Sequence, residues 1–164
     1  MDAYEEIENI IAKKFGKDTT SRKSVGDFML SDNHAVNVKS NNVEKSNYSP
    51  NMISIKKMHK WVFEERNDLS FVFVDYRLEA GSIKILEESD LVAIEHIKWE
   101  CLSIEAQGYG VIQKTGELSV DIKQTKRDFY LGFLSEYQRY REKERKKHDA
   151  FASRFITDPD TIDW

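Results

Sequence analysis

The sequence predicts an α/β fold, a mixed β-sheet flanked by helices with a long C-terminal helix. Three observations predict it. Apolar residues recur at helical spacing at both ends of the chain, and strand-like runs lie between them. One of these runs, "LSFVFVDY" (69–76), is apolar on both faces, as a central strand covered from two sides must be.

The elements follow in order. Residues 3–15 place Tyr4, Ile7, Ile10, Ile11 and Phe15 at helical spacing, with Asp2 positioned as the N-cap. "GKDTTSRKSVG" (16–26) is polar and reads as a loop. Residues 27–30 and 34–40 read as two strands joined by the turn "SDN". "NNVEKSNYSP" (41–50) reads as a second loop, from which Ser49 caps a helix with Pro50 in its first turn. Ile55, Met58 and Val62 give that helix its apolar face, with Trp61 at the margin. After the central strand, "SIKIL" (82–86) alternates and "LVAIE" (91–95) is a further strand. "WECLSIEAQGYGVIQ" (99–113) reads as strand or short helix, glycine turn, then strand. A helical stretch from about Lys126 to Phe155 closes the chain, and its "RYREKERKKHD" (139–149) mixes signs as a solvated face does.

The 164 residues are 40% hydrophobic and 33% charged, with no repeat or linker-like tract. That composition fits a single domain over 1–164 with its own core. The lone Cys101 has no disulfide partner and reads as a small core residue, which suits a reducing, cytoplasmic setting. No apolar run approaches the ~18 residues of a membrane span, and the acidic start "MDAYEEIENI" is unlike a signal peptide. The net charge of −4 argues against a generic polyanion binder, but residues 12–60 hold ten bases against four acids. Such a basic segment attracts phosphates locally. His34, His59, His96 and His148 lack metal spacing, and neither a P-loop nor G-x-S-x-G is present.

Chemistry concentrates in "GDFMLSDNHAVNVKS" (26–40). Alternate residues on a strand share a face, so Asn37 and Lys39 lie together, roughly 7 Å apart, while Val36 and Val38 turn to a core. Asp27 opens the partner strand, so a carboxylate, an amide and an ammonium converge on one patch. The residues "GDF" and "VNVKS" resemble the motif of the PD-(D/E)XK nucleases, an Asp followed by a hairpin and Asp/Glu-x-Lys. "SPNMIS" (49–54) and "WxxLxI…GxGxIQ" (99–113) are similar to small type II restriction endonucleases.

The resemblance covers roughly residues 4–113 through about ten positions. It implies a restriction-endonuclease-like fold with a helix–hairpin–helix–strand order, the order also read above. It further implies Mg²⁺-dependent hydrolysis of double-stranded DNA at a specific site, by a homodimer, since cutting two strands of a symmetric site takes two active sites. Asp27 would anchor the metal, the Val38 carbonyl would add an oxygen, and Lys39 would orient or deprotonate the attacking water.

Asn37 stands where the family keeps a second carboxylate, and its amide oxygen would be a third ligand that coordinates a hard cation without adding negative charge. Three accounts fit: an inactivating replacement, a native Asn with another acid recruited, or a non-catalytic DNA-binding module on the same fold. Junction and mismatch nucleases share the fold as well. The recruited acid would be Glu8, at the margin of the first helix's apolar face, ahead of Glu6 and Glu44. Contacts to DNA fall to the polar loop residues Ser40, Asn42, Lys45, Asn47 and Asn51, and to Gln107, Tyr109, Gln113 and Lys114 around "QGYG".

Overall fold

The computed structural model describes residues 2–45 and 50–164. Helix α1 (Ala3–Lys14) begins where expected, with the Asp2 carboxylate accepting from the Glu5 amide at 2.9 Å. Its apolar residues Ile7 and Ile11 are fully buried. The hairpin follows as β1 (Phe28–Ser31) and β2 (His34–Asn42). Strand β2 takes in Asn41 and Asn42, which sequence reading assigned to the loop.

The next segment departs from expectation. Ser49 and Asn47 lie outside the described residues. Residues after Pro50 form strand β3 (Asn51–Ser54) rather than a first helical turn. The side chain of Ser54, not Ser49, caps α2 (Ile55–Met58), accepting from the Lys57 amide. The reason is tertiary: β3 pairs antiparallel with a strand some sixty residues on, and no local signal reports such pairing. The helix continues in π form over His59–Glu64, where Trp61 is buried rather than marginal. Its indole N–H donates to the Asp68 carbonyl at 2.8 Å.

Strand β4 (Asp68–Glu79) is the central strand anticipated from its two apolar faces. It runs parallel to β2 and antiparallel to β5 (Ser82–Glu88) and to the two-residue β6 (Val92–Ala93). Of the strand expected at 91–95, Val92–Ala93 forms, and Ile94–His96 is a 3₁₀ turn. The order β1-β2-β4-β5 makes a mixed sheet. A second sheet, β3-β8-β7, is built from β7 (Leu102–Glu105) and β8 (Val111–Lys114). Helix α3 (Lys126–Ala152) opens with a capping box between Thr125 and Asp128, and ends three residues before the expected Phe155.

The sheet divides two cores. Val36, Val38, Val72, Val74 and Tyr76 meet Ile7, Ile11 and Ala12 of α1 on one side. Ala35, Leu69 and Phe71 meet β3, α2 and the first turns of α3 on the other, together with Cys101. Period-two alternation along β2 and β4 produces this division. The fold is mixed α/β. Among the described residues, no helix is long and apolar enough to cross a membrane.

Candidate active site

Strand β1 stops pairing with β2 at Phe28↔Val36, so among the described residues one edge of β2 is open, without a strand partner, from residue 37 onward. The chain just before β1 covers the start of that edge. Asp27 donates its amide to the Val36 carbonyl at 2.7 Å, and its carboxylate accepts from the Val38 amide at 2.7 Å. Because a strand residue points its N–H and C=O to the same edge, the Val38 carbonyl faces the Asp27 side. Gly26 permits this close approach: a Cβ there would sit 2.9 Å from the Val36 carbonyl oxygen.

Three predicted residues come together here. Glu8 reaches the open edge from α1, Asp27 from the loop, and Lys39 from the far face of β2. The Glu8 and Asp27 side chains are each 16% exposed. The Arg22 guanidinium joins them, pairing with Glu8 and with Asp27 at 3.2 Å. Burial pushes the Glu8 carboxyl up to about 7, the neighbouring Asp27 carboxylate adds to it, and Arg22 opposes it. Burial also lowers the Lys39 ammonium from its ordinary range, against the pull of Asp27 and Glu8, and Lys57 lowers it further. The cluster thus holds one proton that is readily gained or lost near neutral pH, and one amine eased toward its neutral form.

Asn37 shares the cleft with Lys39, but its amide nitrogen donates to the Val25 carbonyl at 3.3 Å. That bond ties the Arg22–Asp27 loop to β2. An aspartate in this rotamer would turn an acceptor toward an acceptor, so Asn is the residue that suits this loop. Glu6 and Glu44 are exposed and take no part in the cluster.

Two adjoining cavities flank the site. One, of about 420 Å³, is lined by Tyr4, Glu8, Val38, Lys39, Ser40, Asn51 and Gln113. The other, of about 430 Å³, includes Asn37, Lys39, Asn51, Lys57, Gln107 and Tyr109. Asn51 stands between them, accepting from Gln113 at 2.6 Å and donating to Gln107 at 3.3 Å. Tyr109 is 71% exposed, with Lys56 over its ring. Of the residues expected to reach DNA, Ser40, Asn51 and Gln113 therefore line the first cavity, and Asn51, Gln107 and Tyr109 the second. Asn42 ends β2 and Lys45 lies in the turn that follows, where the Asn42 side chain accepts from the Glu44 amide. Lys114 lies elsewhere, over the Phe73 ring in a hollow with Asp75 and Glu87.

Sequence reading missed Arg22 and Lys57. Both belong to the basic segment 12–60, whose surplus charge was their only signal, and no spacing rule links them to Asp27. Among the described residues, no group of three or more His, Cys, Asp or Glu stands ready for a metal. The oxygen set is two carboxylates and the Val38 carbonyl. This fits Mg²⁺, which keeps several waters and takes one or two carboxylates, and it does not fit a soft metal. Arg22 offsets the charge of the Glu8 and Asp27 carboxyls, so a bound cation would take over the place of its guanidinium. Comparison with protein-family models and with curated proteins gives no match for this chain.

Proposed function

We propose that this protein is a Mg²⁺-dependent endonuclease of double-stranded DNA, of the type II restriction kind and on the PD-(D/E)XK plan. Glu8 takes the part of the acid absent at position 37. One observation carries this reading: Glu8, Asp27 and Lys39 converge on the open edge of β2 although they come from three separate elements.

Asp27, Glu8 and the Val38 carbonyl would hold the ion, which supplies charge compensation for the phosphate when bound. The chain's own residues do the rest. Lys39, desolvated and eased toward the free amine, takes a proton from the attacking water or offsets phosphate charge. Asn37 holds the Asp27 loop in place through Val25. The carboxamides of Asn51, Gln107 and Gln113 lie along the cleft rim, where they would meet base edges or phosphates. Two protomers would be needed to cut both strands of a symmetric site.

A second reading has a specific observation behind it. Arg22 already neutralises Glu8 and Asp27, as it would in a DNA-binding protein without catalysis.

The test is cleavage of plasmid DNA with Mg²⁺ by the unaltered chain, Glu8→Gln, Lys39→Ala and Asn37→Asp, with sedimentation on DNA to count protomers. The unaltered chain is expected to cut at defined sites as a dimer. Glu8→Gln and Lys39→Ala should each lose about a hundredfold or more in rate. Cutting by Asn37→Asp alone would make Asn37 the silencing residue. Tight binding without cutting by any variant would establish the second reading. Preference for branched or mismatched duplexes over plasmid would move the assignment to a junction or mismatch nuclease.

A further inference from the structure

A hollow of about 690 Å³ lies not at the Lys39 cleft but beside it. Gln107 and Gly108 line both, so the groove runs on from the cleft past the β7–β8 turn to α3. Helix α3 is anchored there by the Tyr137 hydroxyl, which donates to the Tyr109 carbonyl at 3.1 Å. No residue of α3 beyond Phe133 is buried. From Gln138 to Ala152 the helix is a solvent-borne arm of roughly 22 Å.

An almost wholly polar helix needs its own support or a partner. Support comes from ion pairs of Arg139 with Glu136, Arg145 with Glu142 and Asp149, and Lys147 with Glu144. The arm nonetheless carries six Lys/Arg against three acids, in a chain of net charge −4. Five of its six Lys/Arg fall on two faces. Gln138, Arg141, Arg145 and His148 recur at steps of three and four, so they share a face. That face lines the groove continuous with the cleft, together with Lys147 and the ion-paired Glu142 and Glu144. Arg139, Lys143 and Lys146 line a different hollow.

We propose that the groove-facing row, Arg141, Arg145 and His148, is a second nucleic-acid contact that holds backbone phosphates flanking the segment in the Lys39 cleft. The inference rests on the cleft's being a DNA site, and adds a substrate longer than the cleft itself. Exposed ion pairs such as Arg145–Glu142 are weak enough to be exchanged for phosphate. Guanidinium is suited to that exchange because its donors match phosphate oxygens in pairs. Both copies in a dimer would present such an arm, so contacts would extend outward on either side.

The test measures affinity for a random-sequence duplex of about 40 base pairs over a range of salt, using the full chain. Each phosphate contact steepens the log-affinity against log-salt slope by about 0.9. The double variant R141Q/R145Q is expected to be shallower by about 1.8, and R139Q/K143Q by less than half of that. Circular dichroism checks that the arm stays helical. Should the double variant unwind it, Arg141→Gln alone decides, since Arg141 makes no ion pair among the described residues. An unchanged slope with binding retained overturns the inference, as does an equal change in both double variants. Loss of dimer with an unchanged slope overturns it too, by giving the row to a second copy. If the full chain binds no duplex at all, the reading of the cleft falls first and this one with it.

Discussion

Glu8 and Asp27 place two carboxyls against one guanidinium, and only one of them is cheaply ionised. The consequence for stability has a definite sign. The Glu8 carboxyl sits at about 7 in the folded chain against its ordinary 4.5. Between those values the folded chain keeps a proton that the unfolded chain has released. Stability is therefore greatest at low pH for this group, and is lost as pH rises from about 4.5 to about 7. Glu8→Gln has no such proton to lose. Urea midpoints at pH 5 and pH 8 should show the unaltered chain losing about 1–2 kcal/mol relative to the variant, allowing for solvent screening of a partly open site. Equal pH dependence of the two would contradict the assignment.

At the scale of elements, the site depends on β2 having an edge that β1 does not cover. Gly26 sets this arrangement, because the chain passes so close to β2 that a Cβ would meet the Val36 oxygen at 2.9 Å, the Ala35 Cβ at 3.0 Å and the Val36 nitrogen at 3.1 Å. Two of these neighbours are backbone in a paired strand and cannot yield. Gly26→Ala is expected to cost about 1–3 kcal/mol and to push Asp27 off the Val38 amide. Denaturant unfolding measures the first effect, and cleavage with Mg²⁺ the second. A variant with unchanged midpoint would show that the loop, not the strand, absorbs the strain.

The whole molecule has a core on each face of its sheet, and the candidate site draws on both. Glu8 arrives with the α1 core, while Lys39 projects from the opposite face of β2. Packing on the α1 side therefore controls the distance between Glu8 and Asp27. Ile11→Ala and Phe129→Ala remove fully buried side chains from opposite cores, and each should cost roughly 2–5 kcal/mol. At a temperature where both variants stay folded, cleavage should fall at least tenfold further in Ile11→Ala. Equal losses would mean that α1 does not position Glu8.

The sequence by itself determined the class of fold, the first helix with its cap, the hairpin, the doubly covered central strand and the long final helix. Each rests on a periodicity or cap carried within a dozen residues. It also placed Asp27 and Lys39 beside each other, since a hairpin is a local object. Tertiary structure decided the rest. Residues 51–54 became a strand because β8 supplies partners from far along the chain. Arg22 and Lys57 joined the cluster because a loop and a short helix fold back over β2. The Val38 carbonyl's edge is open because β1 is short. Such pairings are settled by long-range hydrogen bonds and burial, and neither leaves a mark in local sequence.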